Sequence, residues 1–444
     1  MDFGNAGWLQ NLLTEEVAKH RPEPAVELIE EVRAQLTGRA RARLYLRRVV
    51  RESGLLYGTP TGANPAPSGT APEERLFLAV MGTLIRMALD IAGFVEAPAG
   101  ARREQLLALF AALTDQGPEA EEILQRVATG REGTVSRRSW GRVEDALEGR
   151  AMSLAGDPAY GLVLHNGAVY ADANVFGQHA IQYFSRGQLP PVSVRRRNRV
   201  AAQQKALLVE VLTALTRVER PPSFPVRRAI LRQIEDLKLP SDLEDQLRAK
   251  VKRTFDHPPR LVEVVREVRS ADMRRFILEQ TLLASLVDGR RSPSELRFIQ
   301  ALAAALEVSP QQLSHYELVV AEFYAKNRSV VDVFTVAAGA DLLGQDALEQ
   351  MQSAVEKNVQ RLLTEVRETG ELSVLLAKAA RGQKLGDQDR KKMRAQLIDI
   401  AKAIPALAIF AAPGGLFLLI ALAKVLPFNI LPSAFQDPPP EQEP

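Results

Sequence analysis

The chain contains no cysteine. Disulfides, thiolate metal sites and cysteine nucleophiles are therefore excluded, and the composition suits a reducing compartment. Histidine is scarce as well: His20, His165, His179, His257 and His315 are scattered, with no pair at helical spacing, so no zinc site is expected. Three motifs are also missing: the G-x-x-x-x-G-K-[ST] loop, the G-x-S-x-G elbow, and a G-x-G-x-x-G turn after a strand. Nucleotide and hydrolase chemistry thus lack their usual marks, and the chain reads as a non-enzyme. The start, MDFGNAGWLQNLL, has an acid at its second residue and no long apolar run, so it does not read as a secretory signal.

Net charge is also small. The 57 basic residues stand against 54 acidic ones, leaving +3. A generalised nucleic-acid binder is not indicated and no specific DNA partner is expected, so local basic patches matter more than the total.

What is present is mostly helical period. We expect a mainly α chain of multi-helical bundles, with one small β-hairpin and a C-terminal membrane segment. At 444 residues, about two to four domains are expected. The segments are N-terminal basic helices (1–53), a Pro/Gly/Ser-rich flexible linker (54–72), a helical bundle (73–150), and a hairpin with a basic loop (151–200). Two helical repeats follow (201–270 and 271–330), then a helical approach region (331–400), the membrane segment (401–435) and a disordered tail (436–444).

The second N-terminal helix carries Arg39, Arg41, Arg43, Arg47, Arg48 and Arg51. Such a helix can lie on anionic lipid or on RNA phosphates, or it can be a solvated face paired with Glu27, Glu30 and Glu31. The hairpin is expected at Tyr160–Tyr170, two short apolar runs around Asn166-Gly167, a pair that tolerates positive φ. Arg195, Arg196, Arg197 and Arg199, after Pro190-Pro191, read as a solvated loop.

Leu207–Leu247 and Phe276–Tyr316 align without a gap at an offset of 69, with Ile230 on Ile299 and Leu237 on Leu306. Two copies of one helical unit explain this. In the second copy Ser292-Pro293-Ser294-Glu295 is a helix start with Ser as N-cap, Pro at N1 and Glu at N3, and Ser309-Pro310-Gln311-Gln312 repeats the plan. This copy, LLASLVDGRRSPSELRFIQALAAALEVSPQQL, resembles the TerB-like family of tellurite-resistance proteins. The resemblance implies a divalent cation held by Asp288 and Glu295. The residues read by themselves give a turn and a capping box, and Ala284 and Leu286 rule out an EF-hand.

Near the C-terminus, Ile404–Ala423 runs for twenty residues without a charge. A helix of that length spans roughly the 30 Å of a bilayer core. The alternative is a buried hairpin of two core helices broken at Pro413-Gly414-Gly415. Arg390, Lys391, Lys392, Arg394 and Lys402 precede the segment, and Lys424 alone follows it before Asp437, Glu441 and Glu443. The positive-inside bias puts the body in the cytoplasm and the C-terminal tail across the inner membrane.

Pro405, Pro413, the step from Lys424 to Pro427, and Leu431-Pro432-Ser433-Ala434-Phe435 resemble the membrane region of the Letm family. The preceding run LLAKAARGQKLGDQDRKKMRAQLIDIAKAIP resembles that family's approach helix. The resemblance implies a place in the inner membrane, with cation/proton exchange or ribosome binding as the activity. Where that family carries a membrane carboxylate this chain has Gly414, Gly415 and Leu416, so exchange through that group is not implied. No soluble region follows Phe435 in this sequence, so ribosome binding is expected of the N-terminal body.

Three functions follow: a non-catalytic membrane-anchored adaptor docking ribosomes or anionic lipid, a component of cation/proton homeostasis, and a soluble TerB-like metal-stress sensor. One helix cannot enclose an ion path, so the second implies a homo-oligomer.

Overall fold

The computed structural model describes residues 7–21, 37–52, 56, 72–97, 102–128, 135–151, 158–219, 221–287 and 293–310, with the single positions 312, 313, 316, 320 and 388. Among the described residues there are thirteen helices and no strand. They are α1 (Trp8–Lys19), α2 (Gly38–Glu52), α3 (Pro72–Phe94), α4 (Arg102–Leu113), α5 (Gly117–Ala128), α6 (Arg137–Glu148), α7 (Pro158–Arg186), α8 (Pro191–Thr216), α9 (Phe224–Glu235), α10 (Ser241–Asp256), α11 (Leu261–Val264), α12 (Ala271–Val287) and α13 (Pro293–Ala305).

Two compact units share them. The first comprises Met1–Leu154, Leu164–Glu210 and Arg228–Lys252, the second Ala155–Val163, Val211–Arg227 and Arg253–Pro444. In the first unit α4 is the centre: Leu106 to Leu113 are all buried, which an ordinary amphipathic helix cannot be, so α4 has neighbours on every side. α1, α5 and α6 pack against it, and α1 and α2 pack on α3. Phe110 of α4 meets Phe176 of α7 with ring centroids 4.7 Å apart, and Trp8 of α1 meets Phe77 of α3 edge-on at 5.7 Å. The α1 N-terminus has no side-chain cap of its own. Glu144 of α6 supplies one, accepting from the backbone N–H of Gly7 and of Leu9 at 3.0 Å each. A carboxylate there satisfies two orphan donors and complements the helix dipole.

In the second unit the Tyr160 and Thr213 hydroxyls are 3.0 Å apart. Arg227 bonds the Asp256 carboxylate at 3.0 Å and lies over the Phe255 ring at 5.3 Å. α13 packs on α11 and α12. The reciprocal capping box at Ser309 is formed: its hydroxyl accepts from Gln312 N at 3.2 Å and its N–H donates to Gln312 Oε1 at 3.0 Å.

Two expectations are corrected. The hairpin at Tyr160–Tyr170 does not exist, because those residues lie inside the 29-residue helix α7. Leu162, Val163, Leu164 and Asn166 are all buried, and a short apolar run buried on every side has no period to separate strand from helix. Gly167 has no positive φ and instead faces α8, where a Cβ would stand 2.4 Å from the tip of Leu208, its Cδ2. The arginines after Pro190-Pro191 are not in a loop either. Pro191 is the first residue of α8, where its missing N–H costs nothing, and the helix runs on through all four arginines.

The linker 54–72 (apart from Leu56 and Pro72), most of the approach region 331–400, the membrane segment 401–435 and the tail lie outside the described residues. Within them, Glu74–Phe94 of α3 is long and apolar enough to cross a membrane, with a mean hydropathy of 1.7, and 72% of that window is buried inside the fold, as core helices are.

Candidate anion-binding face

α2 is held against α7 by its apolar side. Ala42, Tyr45, Leu46 and Val50 recur at helical spacing and are all buried. The methyl groups of Leu46 rest on Gly177, where a Cβ would stand 2.3 Å from Leu46 Cδ1, so the leucine fills the space that the glycine leaves open. Tyr45 donates to the buried Asp90 carboxylate of α3, whose other oxygen lies 3.3 Å from His20 Nε2. The opposite side of α2 carries the arginines, with Arg43, Arg47 and Arg48 exposed and Arg39, Arg41 and Arg51 half-buried.

α7 ends at Arg186, and Gly187 follows in the left-handed region at φ 68°, its N–H closing onto Tyr183 O at 2.7 Å. Gly is favoured at such a C-cap, and a cation in the last turn complements the dipole. The short connection to Pro191 returns the chain as α8, which brings Arg197 back beside the end of α7. Arg39, Arg43, Arg186 and Arg197 therefore converge from three helices.

Their electrostatics register the crowding. Desolvation, then repulsion from Arg186 and Arg43, holds the Arg39 guanidinium below its ordinary value. Desolvation, then Arg39 and Arg186, does the same to Arg197. Among the described residues none of these four forms an ion pair, and Arg39 Nε and Arg197 Nη1 are buried without a hydrogen-bond partner. Behind Arg197 lies His179, wholly buried, with neither ring nitrogen bonded among the described residues. Burial, helped by Arg197, lowers its pKa to about 3, so the imidazole is neutral. Four cations, two of them with idle buried donors and none with a carboxylate partner among the described residues, form a surface that suits a phosphate-bearing partner.

Of the residues singled out in the sequence, Arg39 and Arg43 belong to this cluster, while Arg41, Arg47, Arg48 and Arg51 continue the basic side of α2. Glu295 sits in the first turn of α13, 7% exposed, and Asp288 lies outside the described residues. Among the described residues no group of three His, Asp or Glu is gathered for a metal. Pro405, Pro413, Gly414, Gly415, Lys424, Pro427 and Pro432 lie outside them too. The sequence reading did not name Arg186, and it placed Arg197 in a solvated loop and His179 among scattered histidines. The available signal was Arg186-Gly187 at the end of a long amphipathic run followed by a Pro pair, which marks a helix stop and start.

No known protein family, curated protein or solved structure matches the chain. By its fold, among the described residues, it is a mainly α-helical protein of multi-helix units.

Proposed function

We propose that this chain is a non-catalytic helical adaptor attached to the inner membrane, whose body docks a ribosome by its RNA phosphates. The reading is carried by one observation, the convergence of Arg39, Arg43, Arg186 and Arg197 with no carboxylate partner among the described residues. Guanidiniums so placed raise one another's free energy, and polyanion phosphates relieve that repulsion while releasing counterions. Ribosomal RNA fits better than lipid, because α2 has its apolar face buried in the body and cannot insert that face among acyl chains. The attachment itself rests on the sequence: the uncharged stretch Ile404–Ala423 and its resemblance to the Letm membrane region support an anchor with the body on the cytoplasmic side.

Co-sedimentation tests the docking. The purified chain is expected to pellet with ribosomes at low salt, to be released as salt rises, and to bind vesicles of anionic lipid more weakly. Binding to vesicles that equals or exceeds binding to ribosomes would move the partner from RNA to the membrane surface.

A further inference from the structure

The first unit also contains a cavity of about 700 Å³, bounded by the end of α4, the end of α6, the middle of α7, the first half of α8 and the turn between α9 and α10. That volume falls within the range of small-molecule sites. α8 serves both this cavity and the arginine face. Arg195, Arg196 and Arg199 line the cavity, as does Lys205 further along, whereas Arg197, about 100–200° round the helix from its neighbours, turns to the cluster with Arg39.

The cavity floor is a buried ion triad. Lys205 Nζ lies 2.7 Å from Asp172 Oδ1, and Arg150 Nη1 lies 3.1 Å from Asp172 Oδ2. Arg150 Nη2 also donates to Leu113 O at 2.8 Å, which fixes the guanidinium against the end of α4. The Lys205 side chain is only 7% exposed. One carboxylate thus faces two cations, and the floor keeps a surplus positive charge in a poorly hydrated place. At the mouth, Arg199 is held by the Asp242 carboxylate in a two-bond fork of 2.8 and 2.6 Å. Arg195, Arg196 and Lys238 are exposed and form no ion pair among the described residues. Lys238 reaches the mouth from a left-handed turn, φ 48°, a conformation uncommon for a residue with a side chain. One part of the wall is apolar, with Val175, Ala202 and Leu239, and another is polar, with Asn198 donating to the Asp115 carboxylate at 3.2 Å; the cations that line the cavity still outnumber its carboxylates.

From this geometry we infer that the cavity is a binding site for a small organic phosphate, a phosphomonoester of nucleotide size. Its dianionic phosphoryl group sits among Arg195, Arg196 and Lys238, and its organic body lies along the apolar wall above Lys205. A dianion offsets the surplus charge of floor and mouth together, which a neutral ligand does not. Guanidinium forks match phosphoryl oxygens two at a time. The site is separate from the arginine face, and it stands whether or not that face binds RNA.

The experiment uses the full chain and three probes, AMP, adenosine and inorganic phosphate, with binding followed by titration calorimetry and by the rise in Tm. AMP is expected to bind and raise Tm, because a ligand of the native state alone stabilises it. Adenosine is expected not to bind, and inorganic phosphate to bind about tenfold or more weakly than AMP, since it leaves the apolar wall uncovered. The triple variant Arg195→Gln, Arg196→Gln, Lys238→Gln changes only exposed side chains and should keep the ligand-free Tm while losing AMP. The pair Arg39→Gln, Arg186→Gln should leave AMP binding unchanged. Absence of AMP binding, equal binding of adenosine, or AMP binding that survives the triple variant would each overturn the site.

Discussion

Lys205 and Asp172 meet at 2.7 Å inside the first unit, and Asp172 lines the cavity there. Burial works against the Asp172 carboxylate, yet Lys205 and Arg150 outweigh it and hold its pKa below the usual range. Burial pushes the Lys205 ammonium down, Asp172 pulls it back up, and Arg150 adds to the lowering. The two partners are therefore not equivalent. Asp172→Asn leaves two cations facing each other in a buried place and is expected to cost about 3–5 kcal/mol. Lys205→Met leaves Asp172 paired with Arg150 and removes a costly buried ammonium, so it should cost far less. Denaturant unfolding of both variants measures the asymmetry, and equal losses would contradict it.

A second prediction concerns acid. His165 and His179 are both buried, and burial lowers their pKa to about 4 and about 3 from an ordinary 6.5, with Arg197 adding to the effect at His179. Each histidine stays neutral in the folded chain and takes up a proton on unfolding, so the unfolded state binds more protons below pH 6.5. Stability is then full above pH 6.5 and falls as pH drops, by about 3 kcal/mol for each histidine at pH 4. Because neither nitrogen of His179 has a hydrogen-bond partner among the described residues, His179→Phe should not destabilise the protein at pH 7 and should flatten the acid limb. Chemical denaturation across pH 4–8 checks both statements. A variant that weakens the fold at pH 7 and keeps the wild-type slope would show that the imidazole is doing something else.

Those two buried histidines illustrate what was legible in the sequence and what was not. Periodicity located α2 with its arginines, and the Ser309 capping box followed from a local pattern whose physics is local. The repeat also leaves a local trace: α9 and α13 begin at Phe224 and Pro293, and Lys238 and Glu307, 69 residues apart, share left-handed backbone with φ 48° and 57°. Asn166-Gly167 misled because a turn pair is only a local preference, and packing of Gly167 against Leu208 overrode it. The convergence of Arg39 with Arg186 and Arg197, and that of Asp172 with Lys205 and Arg150, depend on which helices pack together. No window of sequence carries that information.

The placement of α2 gives a third prediction. A Cβ on Gly177 would lie 2.3, 2.9 and 3.1 Å from three atoms of Leu46, so no single rotation of the leucine clears it. Gly177→Ala should cost about 1–3 kcal/mol by overpacking, less the helix-propensity gain of alanine. At Gly167 only the tip of Leu208, Cδ2 at 2.4 Å, is in the way, with the next atom at 3.7 Å, so Gly167→Ala should be nearly neutral. Adding Leu46→Ala to Gly177→Ala should recover part of the loss, which a double-mutant cycle reads directly. A cycle with no coupling would mean that α2 is not held at that point.

The anchor gives a fourth. Deleting 404–444 removes the uncharged stretch Ile404–Ala423, and the body should then appear in the soluble fraction after a carbonate wash of the membranes. Glu74–Phe94 is the competing span. If the truncated chain stays with washed membranes, that helix, and not the C-terminal stretch, is the attachment.

The central claim is that Arg39, Arg43 and Arg186 contact ribosomal phosphates, and the salt dependence of ribosome binding tests it most directly. The logarithm of the binding constant should fall linearly with the logarithm of salt concentration, with each phosphate contact contributing about 0.7–0.9 to the slope. Replacing the three arginines with glutamine should weaken binding at low salt and reduce the slope by about 2–3, without changing Tm at high salt. A triple variant that binds ribosomes with wild-type affinity and the same slope would contradict the account.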